Sequence, residues 1–320
     1  MTTHDTGWLQ TLHTQPSTAP GIPDPTVPTA GEAADRMTLL AVPAADRDAV
    51  IATLPDPART PDLWEALLHC HRTLFAGRTP EPLLTWPNAP AELGAPGRYF
   101  YVHLYLLALP LALEHQRRLG IPAEVVRATF ADLGAKLTTY RLAHGTGGFD
   151  RQVWMARHFR GTLHRLGRLQ FEQTTHTGDD LAPHGGPAGG APVLGVHIPG
   201  DGPLTPSLCD ASFRAARPFF SRFFPGRPHA DATCHSWLLD DQLSEYLSSE
   251  ANIVTFQRRF RRFGDSPVCD DDILEFVFHA PPGRADLDTL PQTGTLQRAI
   301  VAHLRTGRHW RLGHGWTRLP

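Results

Sequence analysis

The segment 193–224 constrains the fold of this chain more than any other part of the sequence. An apolar run includes His197, gives way to a loop rich in Pro and Gly over residues 199–206, and is followed by a helical pattern of apolar residues. This order predicts a β-strand over residues 193–198, a tight loop, and a helix whose N-cap is Ser207. Because the start of a helix presents unpaired backbone N–H groups, the junction is a candidate site for an anion such as a phosphate.

Composition narrows the classes of function. A net charge of −2 and a pI near 6.8 give no electrostatic reason to expect a nucleic acid partner. The four cysteines are widely spaced, without a C-x-x-C pair, which favours reduced thiols and a cytoplasmic location. The longest apolar stretch, 99–113, is too short to span a membrane and predicts a buried helix. We therefore predict no membrane partner. No spacing of His, Cys and Asp fits a zinc site, so we also predict no metal.

The chain divides by the character of its patterns. Residues 1–35 are rich in Thr, Pro, Ala and Gly and are predicted to be disordered. Residues 36–164 follow helical spacing and predict a helical domain. Residues 165–320 predict a domain of strands and helices, in which a Gly- and Pro-rich stretch, 173–191, reads as a flexible loop.

Further elements of the C-terminal half are indicated by period-two or helical spacing. They are strands over 168–172, 233–239 and 273–278, a short helix capped by Asp240 or Asp241, a helix leading into a strand over 252–263, a helix over 295–304, and a final strand or hairpin over 309–319.

Strand parity brings four polar residues together. Alternation over 168–172 puts Arg168, Gln170 and Glu172 on one face and apolar residues on the other. In the strand 193–198, His197 points away from the apolar row. If both apolar rows cover one core, His197 shares a face with these three residues. Such a face is either a reactive site, a solvated surface, or a place where the histidine fixes the adjoining loop by a hydrogen bond.

Four strings carry a family resemblance. They are HRLGRLQFE (164–172), VHIPGDGPLTP (196–206), CHSWLLDDQL (234–243) and NIVTFQRRF (252–260). With the element order, they resemble the acetyl-CoA-binding half of the Gcn5-related N-acetyltransferase (GNAT) fold. The same strings, which cover much of residues 140–280, also resemble an actinobacterial family that pairs an N-acyltransferase N-terminal domain with a GNAT-like C-terminal domain. The fold class implied is α+β, a helical N-terminal domain followed by a GNAT-like mixed β-sheet with flanking helices.

The resemblance implies an acyl-CoA-dependent N-acyltransferase. Such an enzyme moves an acyl group from the thioester of acetyl-CoA or another acyl-CoA to an amine of a small molecule or peptide. Because a protonated ammonium has no lone pair, the reaction needs a base. Glu172 or His197 is expected to serve, directly or through a water molecule. The acceptor, the acyl chain length and the oligomeric state are left open by the sequence.

The candidate residues for binding CoA lie in the loop and in an arginine cluster. They are Gly200, Gly202, Leu204, Thr205, Arg258 and Arg259. The glycines either let the backbone approach a phosphate or permit a turn with positive φ. The arginines either bind phosphate or form a solvated edge. The loop departs from the Gln/Arg-x-x-Gly-x-Gly/Ala pattern of GNAT enzymes, since prolines remove N–H donors and Asp201 would put a negative charge beside the pyrophosphate.

This departure supports an alternative, a non-catalytic binding or regulatory protein on a degenerate GNAT scaffold. A third hypothesis is a hydrolase in which Cys234 is the nucleophile. Neighbours on a strand point to opposite faces, so Cys234 shares a face with Ser236 and not with His235. A buried structural cysteine is the simpler interpretation.

Overall fold

The structure, a computed structural model, divides into two compact units, Met1–His164 and Arg165–Pro320. It describes residues 3–15, 17, 21–76, 84–178, 181–281, 283 and 285–320. The boundary between the units falls at the place where the sequence changes from helical spacing to alternation.

The first unit is helical, as the sequence predicts. Its helices are α1 (Thr3–His13), α2 (Ala30–Leu39), α3 (Ala44–Ala52), α4 (Pro61–Phe75), α5 (Gly94–Arg98), α6 (Phe100–Leu119), α7 (Ala123–Phe130), α8 (Asp132–His144) and α9 (Gln152–Arg160), with a 3₁₀ turn at Ala91–Leu93.

Helix α6 forms the centre of this unit and is buried along most of its length. This confirms the buried helix expected over 99–113. Helices α2, α4 and α9 pack against it. It ends at Gly120, whose φ of 73° is the left-handed conformation that a glycine adopts without strain. Within the described residues, no helix combines the length and the apolar character that crossing a membrane requires.

The first 35 residues differ from the disorder that their composition favours. Helix α1 packs on α4, and its Trp8 and Leu12 are buried. The Trp8 ring meets the edge of Phe100 at a centroid distance of 4.8 Å. Trp8 and Leu12 are four residues apart, so they share one helical face. A composition averaged over the segment does not reveal this spacing. The prediction also covered residues 1–2, 16 and 18–20, which lie outside the described part.

The second unit is built on a six-stranded mixed sheet with the order β1-β2-β3-β4-β6-β5. The strands are β1 (Leu163–Leu166), whose first two residues close the helical unit, β2 (Leu169–Thr175), β3 (Pro192–His197), β4 (Asp231–Ser236), β5 (Arg261–Arg262) and β6 (Gly313–Arg318). Strands β3 and β4 run parallel, whereas β2–β3, β4–β6 and β5–β6 are antiparallel. The flanking helices are α10 (Pro206–Phe223), α11 (Asn252–Gln257), α12 (Asp270–Phe278) and α13 (Thr295–Arg305). This is the predicted α+β class.

The two faces of the sheet differ in polarity. Phe171 of β2 lies opposite Val196 of β3, and α10 covers this face, with the ring of Phe213 at 5.7 Å from that of Phe171. Phe260, after α11, extends the same cluster at 6.1 Å from Phe213. Because side chains alternate along a strand, the residues between them project from the other face, which is polar.

One predicted strand is wrong: residues 273–278 belong to the helix α12. The apolar residues Ile273, Leu274, Val277 and Phe278 fit a helical face as well as a buried strand. Three aspartates, Asp270–Asp272, occupy the first turn, where the helix dipole favours negative charge. This favourable interaction of Asp270–Asp272 with the helix dipole explains why the segment forms a helix rather than a strand.

Other boundaries shift by a few residues. The N-cap of α10 is Thr205 rather than Ser207, and Pro206 takes the first helical position, where its missing N–H costs nothing. Strand β4 ends at Ser236, where the chain turns into the 3₁₀ turn Trp237–Leu239. The Asp240 side chain caps the next short helix, as expected. The predicted helix-to-strand passage over 252–263 is confirmed by α11 and β5.

The stretch 173–191 is more ordered than a flexible loop. Strand β2 extends to Thr175, and two backbone hydrogen bonds tie His176 to Ala191 and Gly190. Leu181 is buried. Asp179 and Asp180, also in this stretch, lie outside the described residues.

Candidate active site

A glutamate and a histidine form a direct pair on the polar face of the sheet. His197 ends β3, Glu172 lies on β2, and Nε2 of the histidine is 2.9 Å from Oε2 of the glutamate. Both side chains are only partly accessible to solvent, at 30% for His197 and 18% for Glu172. The strand parity of the sequence placed these residues on one face, and the structure brings them into contact.

The strand register explains the contact. Glu172 lies directly opposite Gly195, while Gln170 lies opposite His197. The His197 ring therefore reaches Glu172 diagonally, over Gly195. A Cβ atom built on Gly195 would be 3.5 Å from Nε2 of His197 and 3.7 Å from Cβ of Glu172. A larger side chain at this position would occupy the space in which the pair meets.

The paired register of β3 and β4 ends just before this pair. Their parallel register comprises Leu194 opposite Ala232 and Gly195 opposite Thr233. His197 on β3 and His235 on β4 each lie two residues beyond the last paired positions, Gly195 and Thr233. Both are therefore on the polar face. A gap between two parallel strands leaves backbone N–H and C=O groups without a partner strand, so it can receive an extended ligand.

His235 also pairs with a histidine of the neighbouring strand. It lies opposite His314 of β6, and the two Nδ1 atoms are 2.5 Å apart. A hydrogen bond between two ring nitrogens needs one protonated and one unprotonated partner. Although the His235 side chain is accessible to solvent, desolvation by the surrounding protein, together with the charges of the neighbouring His314 and His197, lowers its pKa to about 4. At neutral pH, His235 is therefore uncharged.

The loop after β3 is held by two arginines of the preceding segment. Arg168, which precedes β2, donates to the carbonyl oxygens of Pro203 and Gly202 at 2.9 and 2.8 Å. Arg165 binds Asp201 through both guanidinium ends, at 2.5 and 3.0 Å. The hydrogen bond from Arg165 lowers the pKa of Asp201. The negative charge expected to repel a phosphate is thus compensated.

The two loop glycines are not required by turn geometry. Neither Gly200 nor Gly202 is among the residues with positive φ. A Cβ atom on Gly200 would meet nothing within 4 Å, and one on Gly202 only the Arg168 side chain at 3.9 Å. The turn interpretation is therefore wrong for both positions. Leu204 is buried, and Thr205 caps α10 without a side-chain hydrogen bond.

The two arginines proposed for phosphate binding have different surroundings. Arg259 contacts the Asp210 carboxylate and donates to the Pro206 carbonyl, so it fixes the first turn of α10. Arg258 follows α11 and is exposed, and it makes no ion pair with another described residue. The structure brings Arg259, but not Arg258, to the end of the loop.

The cysteines do not form a reactive site. Cys234 is fully buried on the apolar face, and burial raises the pKa of its thiol to about 12. A thiol with this pKa is not a thiolate at neutral pH, so the hydrolase hypothesis has no nucleophile here. Within the described ranges, no three His, Cys, Asp or Glu side chains are grouped so as to hold a metal ion.

Sequence reasoning missed the histidine pair and the contacts of Arg165 and Arg168 with the loop after β3. His314 lies in the string GHGWTR, within the stretch 309–319 predicted as a strand or hairpin, so strand parity could have placed it on a face. Its neighbours Gly313 and Gly315 pack closely on Leu239 and Phe260, with less than 3 Å left for a Cβ atom. Which strand lies beside β6 cannot be read from the sequence, because β5 and β6 are far apart along the chain.

Two family models match the chain. A model of the N-acyltransferase N-terminal domain matches residues 31–161, and a model of the GNAT-like C-terminal domain matches residues 163–317. A comparison with curated proteins gave no match.

Solved structures of acyltransferases match along the whole chain. One is an acyltransferase in complex with CoA and 10C-teicoplanin, at 37% identity and a TM-score of 0.88, covering 100% of this chain and 97% of the other. A second, in complex with decanoyl-CoA and teicoplanin, has 37% identity and a TM-score of 0.86 with the same coverage. A third, in complex with decanoyl-CoA, has 36% identity and a TM-score of 0.88, again with this coverage.

Proposed function

Because the chain belongs to the acyltransferase family that joins an N-acyltransferase N-terminal domain to a GNAT-like C-terminal domain, we propose that His197 is its general base. The chain transfers acyl groups from acyl-CoA, and we propose that an amine of a glycopeptide is its acceptor. The observation that carries this assignment is the 2.9 Å contact between His197 and Glu172 beside the gap between β3 and β4.

The pair has the chemistry that amine acylation requires. A carboxylate accepts the hydrogen bond, so Nε2 of His197 donates to Glu172 and Nδ1 is the nitrogen that takes up a proton. His197 removes a proton from the ammonium of the acceptor, and the amine attacks the thioester carbonyl carbon. The new C–N bond forms, the C–S bond breaks, and the CoA thiolate leaves and takes up a proton. Glu172 orients the ring and stabilises the imidazolium formed in the first step.

The gap and the loop provide the binding site for acyl-CoA in this proposal. Backbone groups beyond Gly195 and Thr233 have no partner strand and can bind the amides of the pantetheine arm. The open space at Gly200 and Gly202 allows phosphate oxygens to approach the backbone next to the start of α10. Arg168 supplies a further donor, because its Nη1 is buried without a hydrogen-bond partner.

The related structures suggest the donor and the acceptor. Acyltransferase structures matched over 97% of their own chain hold decanoyl-CoA, and one also holds teicoplanin. We propose a medium-chain acyl-CoA as donor and an amine-bearing glycopeptide of the teicoplanin type as acceptor. We place the reaction in the cytoplasm, in accord with the four free buried cysteines.

The test is acyl transfer from decanoyl-CoA to teicoplanin lacking its acyl chain, followed by mass spectrometry of the product and release of the CoA thiol. His197→Gln is expected to lower kcat/KM by about 10²- to 10⁴-fold, the usual contribution of a general base. Glu172→Gln should lower it by a smaller factor. Thermal shift with decanoyl-CoA checks that both variants still bind the donor. Absence of transfer by the wild-type protein, despite binding of decanoyl-CoA, would instead favour the non-catalytic alternative.

A further inference from the structure

Gln170 is a buried polar residue of the same sheet face whose donor group has no partner. Its side chain is 1% exposed, and its Nε2 makes no hydrogen bond to any described residue. It lies directly opposite His197 across the β2–β3 pair. Directly opposed residues of antiparallel strands have Cβ atoms about 4.5–5.5 Å apart and share a face. Gln170 is therefore the cross-strand neighbour of the general base proposed above.

A buried amide N–H without a partner is unfavourable, because folding removes it from water and offers nothing in exchange. Such groups are uncommon in folded proteins, and a catalytic role is one of the reasons for which they are kept. The missing partner must be a hydrogen-bond acceptor, which excludes the ammonium of the acceptor substrate. A neutral amide also neither accepts nor releases a proton at neutral pH, which excludes a role as a second base.

The proposed reaction supplies one such acceptor near His197. When the amine is close enough to transfer its proton to His197, the thioester carbonyl that it attacks lies about 3 Å from the amine nitrogen. As the C–N bond forms, the electron pair of the C=O double bond moves onto oxygen. The oxygen then bears a negative charge until the C–S bond breaks. A donor that is already fixed in place stabilises this charge without reorganising.

We propose that Gln170 is a catalytic residue that donates a hydrogen bond from Nε2 to the thioester carbonyl oxygen and stabilises the oxyanion. This inference rests on the proposed function, since it requires acyl transfer at His197. It adds a side-chain donor to the pair formed by Glu172 and His197. Two residues of β2, Gln170 and Glu172, then act on the two charges that the reaction creates, the oxyanion and the imidazolium.

The test is the variant Gln170→Met, which keeps the length of the side chain and removes the donor. With decanoyl-CoA and deacylated teicoplanin, kcat should fall by about 10²- to 10³-fold, the usual effect of losing one oxyanion donor. The KM for both substrates should change by less than about threefold, and the pH profile of kcat/KM should keep its shape. Gln170→Glu, which keeps the volume and replaces the donor by a charged acceptor, should lose at least as much.

Hydrolysis of decanoyl-CoA without acceptor separates this role from binding of the glycopeptide. The oxyanion also forms when water attacks, so Gln170→Met should slow hydrolysis and transfer by the same factor. If transfer falls while hydrolysis is unchanged, Gln170 positions the acceptor and the proposal is wrong. If kcat stays within threefold of the wild type, it is wrong as well.

The matched control is Gln173→Met. Gln173 is the same residue type, on the same strand, also buried, but on the opposite face. Its substitution should leave kcat unchanged. The wild-type protein and His197→Gln, run in the same assay, test the proposed function separately: if transfer depends on His197 but not on Gln170, only the present inference fails. Calorimetric binding of decanoyl-CoA shows that each variant is folded.

Discussion

His103 and His197 represent two uses of histidine in the two units. In the helical unit, His103 is fully buried, and its Nε2 donates to the Val50 carbonyl at 2.9 Å. On the sheet, His197 is 30% exposed and contacts a carboxylate beside a gap between strands. Burial lowers the pKa of His103 to about 4, so this ring stays neutral and serves as a structural hydrogen-bond donor. The difference teaches that accessibility and the charge of the partner, rather than residue type, indicate which histidine can act on a substrate.

The same contrast holds for two ion pairs. Asp46 of the helical unit is fully buried and contacts Arg141 at 2.5 Å, whereas Asp201 of the loop is 43% exposed and contacts Arg165. In the first pair the arginine compensates a charge that water cannot reach. In the second it compensates a charge at the candidate phosphate site.

The largest expected effect is on stability in the helical unit. Arg141→Ala should lower the free energy of unfolding by about 3–5 kcal/mol, because it leaves the Asp46 carboxylate buried without its cation. Arg165→Ala should lower it by less than about 1 kcal/mol, since Asp201 is partly in water. Urea denaturation of both variants measures the difference. Equal losses would mean that burial does not distinguish the two pairs.

Acid should destabilise the helical unit through its buried histidines. Burial lowers the pKa of His103 to about 4, that of His71 to about 4 and that of His164 to about 3, against about 6.5 in the unfolded chain. Above pH 6.5 these rings are neutral in both states. Between pH 6.5 and 4 the unfolded chain binds protons that the folded chain does not, so stability falls as the pH falls.

The contribution of one ring can be isolated. His103 alone should account for about 3 kcal/mol of the loss, from its pKa difference of about 2.5. In His103→Phe this part of the pH dependence disappears, so from pH 7.5 to pH 4.5 the wild type should lose about 2–3 kcal/mol more stability than the variant. Urea unfolding at a series of pH values measures it. A constant difference between the two proteins would contradict the burial of a neutral ring.

A smaller effect is expected on donor binding. Arg165→Ala leaves the Asp201 charge uncompensated beside the loop and should weaken binding of decanoyl-CoA by about threefold to tenfold, equivalent to roughly 0.7–1.4 kcal/mol. The double variant Arg165→Ala/Asp201→Asn should restore most of the affinity. Calorimetry measures both. If the double variant binds as weakly as the single one, the charge of Asp201 does not bear on CoA binding.

The smallest effect concerns the histidine pair on the sheet. Removing His314 removes the repulsion that helps to keep His235 neutral, so His314→Phe should raise the pKa of His235 above about 4. Titration by NMR of the ring protons measures this change. A pKa that stays the same would show that desolvation alone sets it.

The sequence predicted the parts of the fold that depend on local patterns. The helical unit, the strand with His197 and the passage from α11 to β5 follow from periodicity. The parity of two strands was sufficient to place His197 beside Glu172. The error over 273–278 arose because five apolar residues in six positions satisfy both periods, and only the three aspartates before them discriminate.

Contacts between distant segments could not be predicted in this way. The compensation of Asp201 by Arg165 depends on how the turn before β2 meets a loop more than thirty residues later. The His235–His314 pair depends on β6 inserting between β4 and β5, a pairing of strands that no local pattern specifies. Both contacts are products of sheet topology, which is set by the packing of the whole unit.

Chemical rescue of His197→Ala tests most directly that His197 is the general base. In single-turnover transfer from decanoyl-CoA to deacylated teicoplanin, this variant should be about 10²- to 10⁴-fold slower than the wild type. Added imidazole should then accelerate it in proportion to the concentration of unprotonated imidazole, while Gln173→Met shows no such response. A rate within threefold of the wild type, or a slow rate that imidazole does not raise, would contradict the assignment.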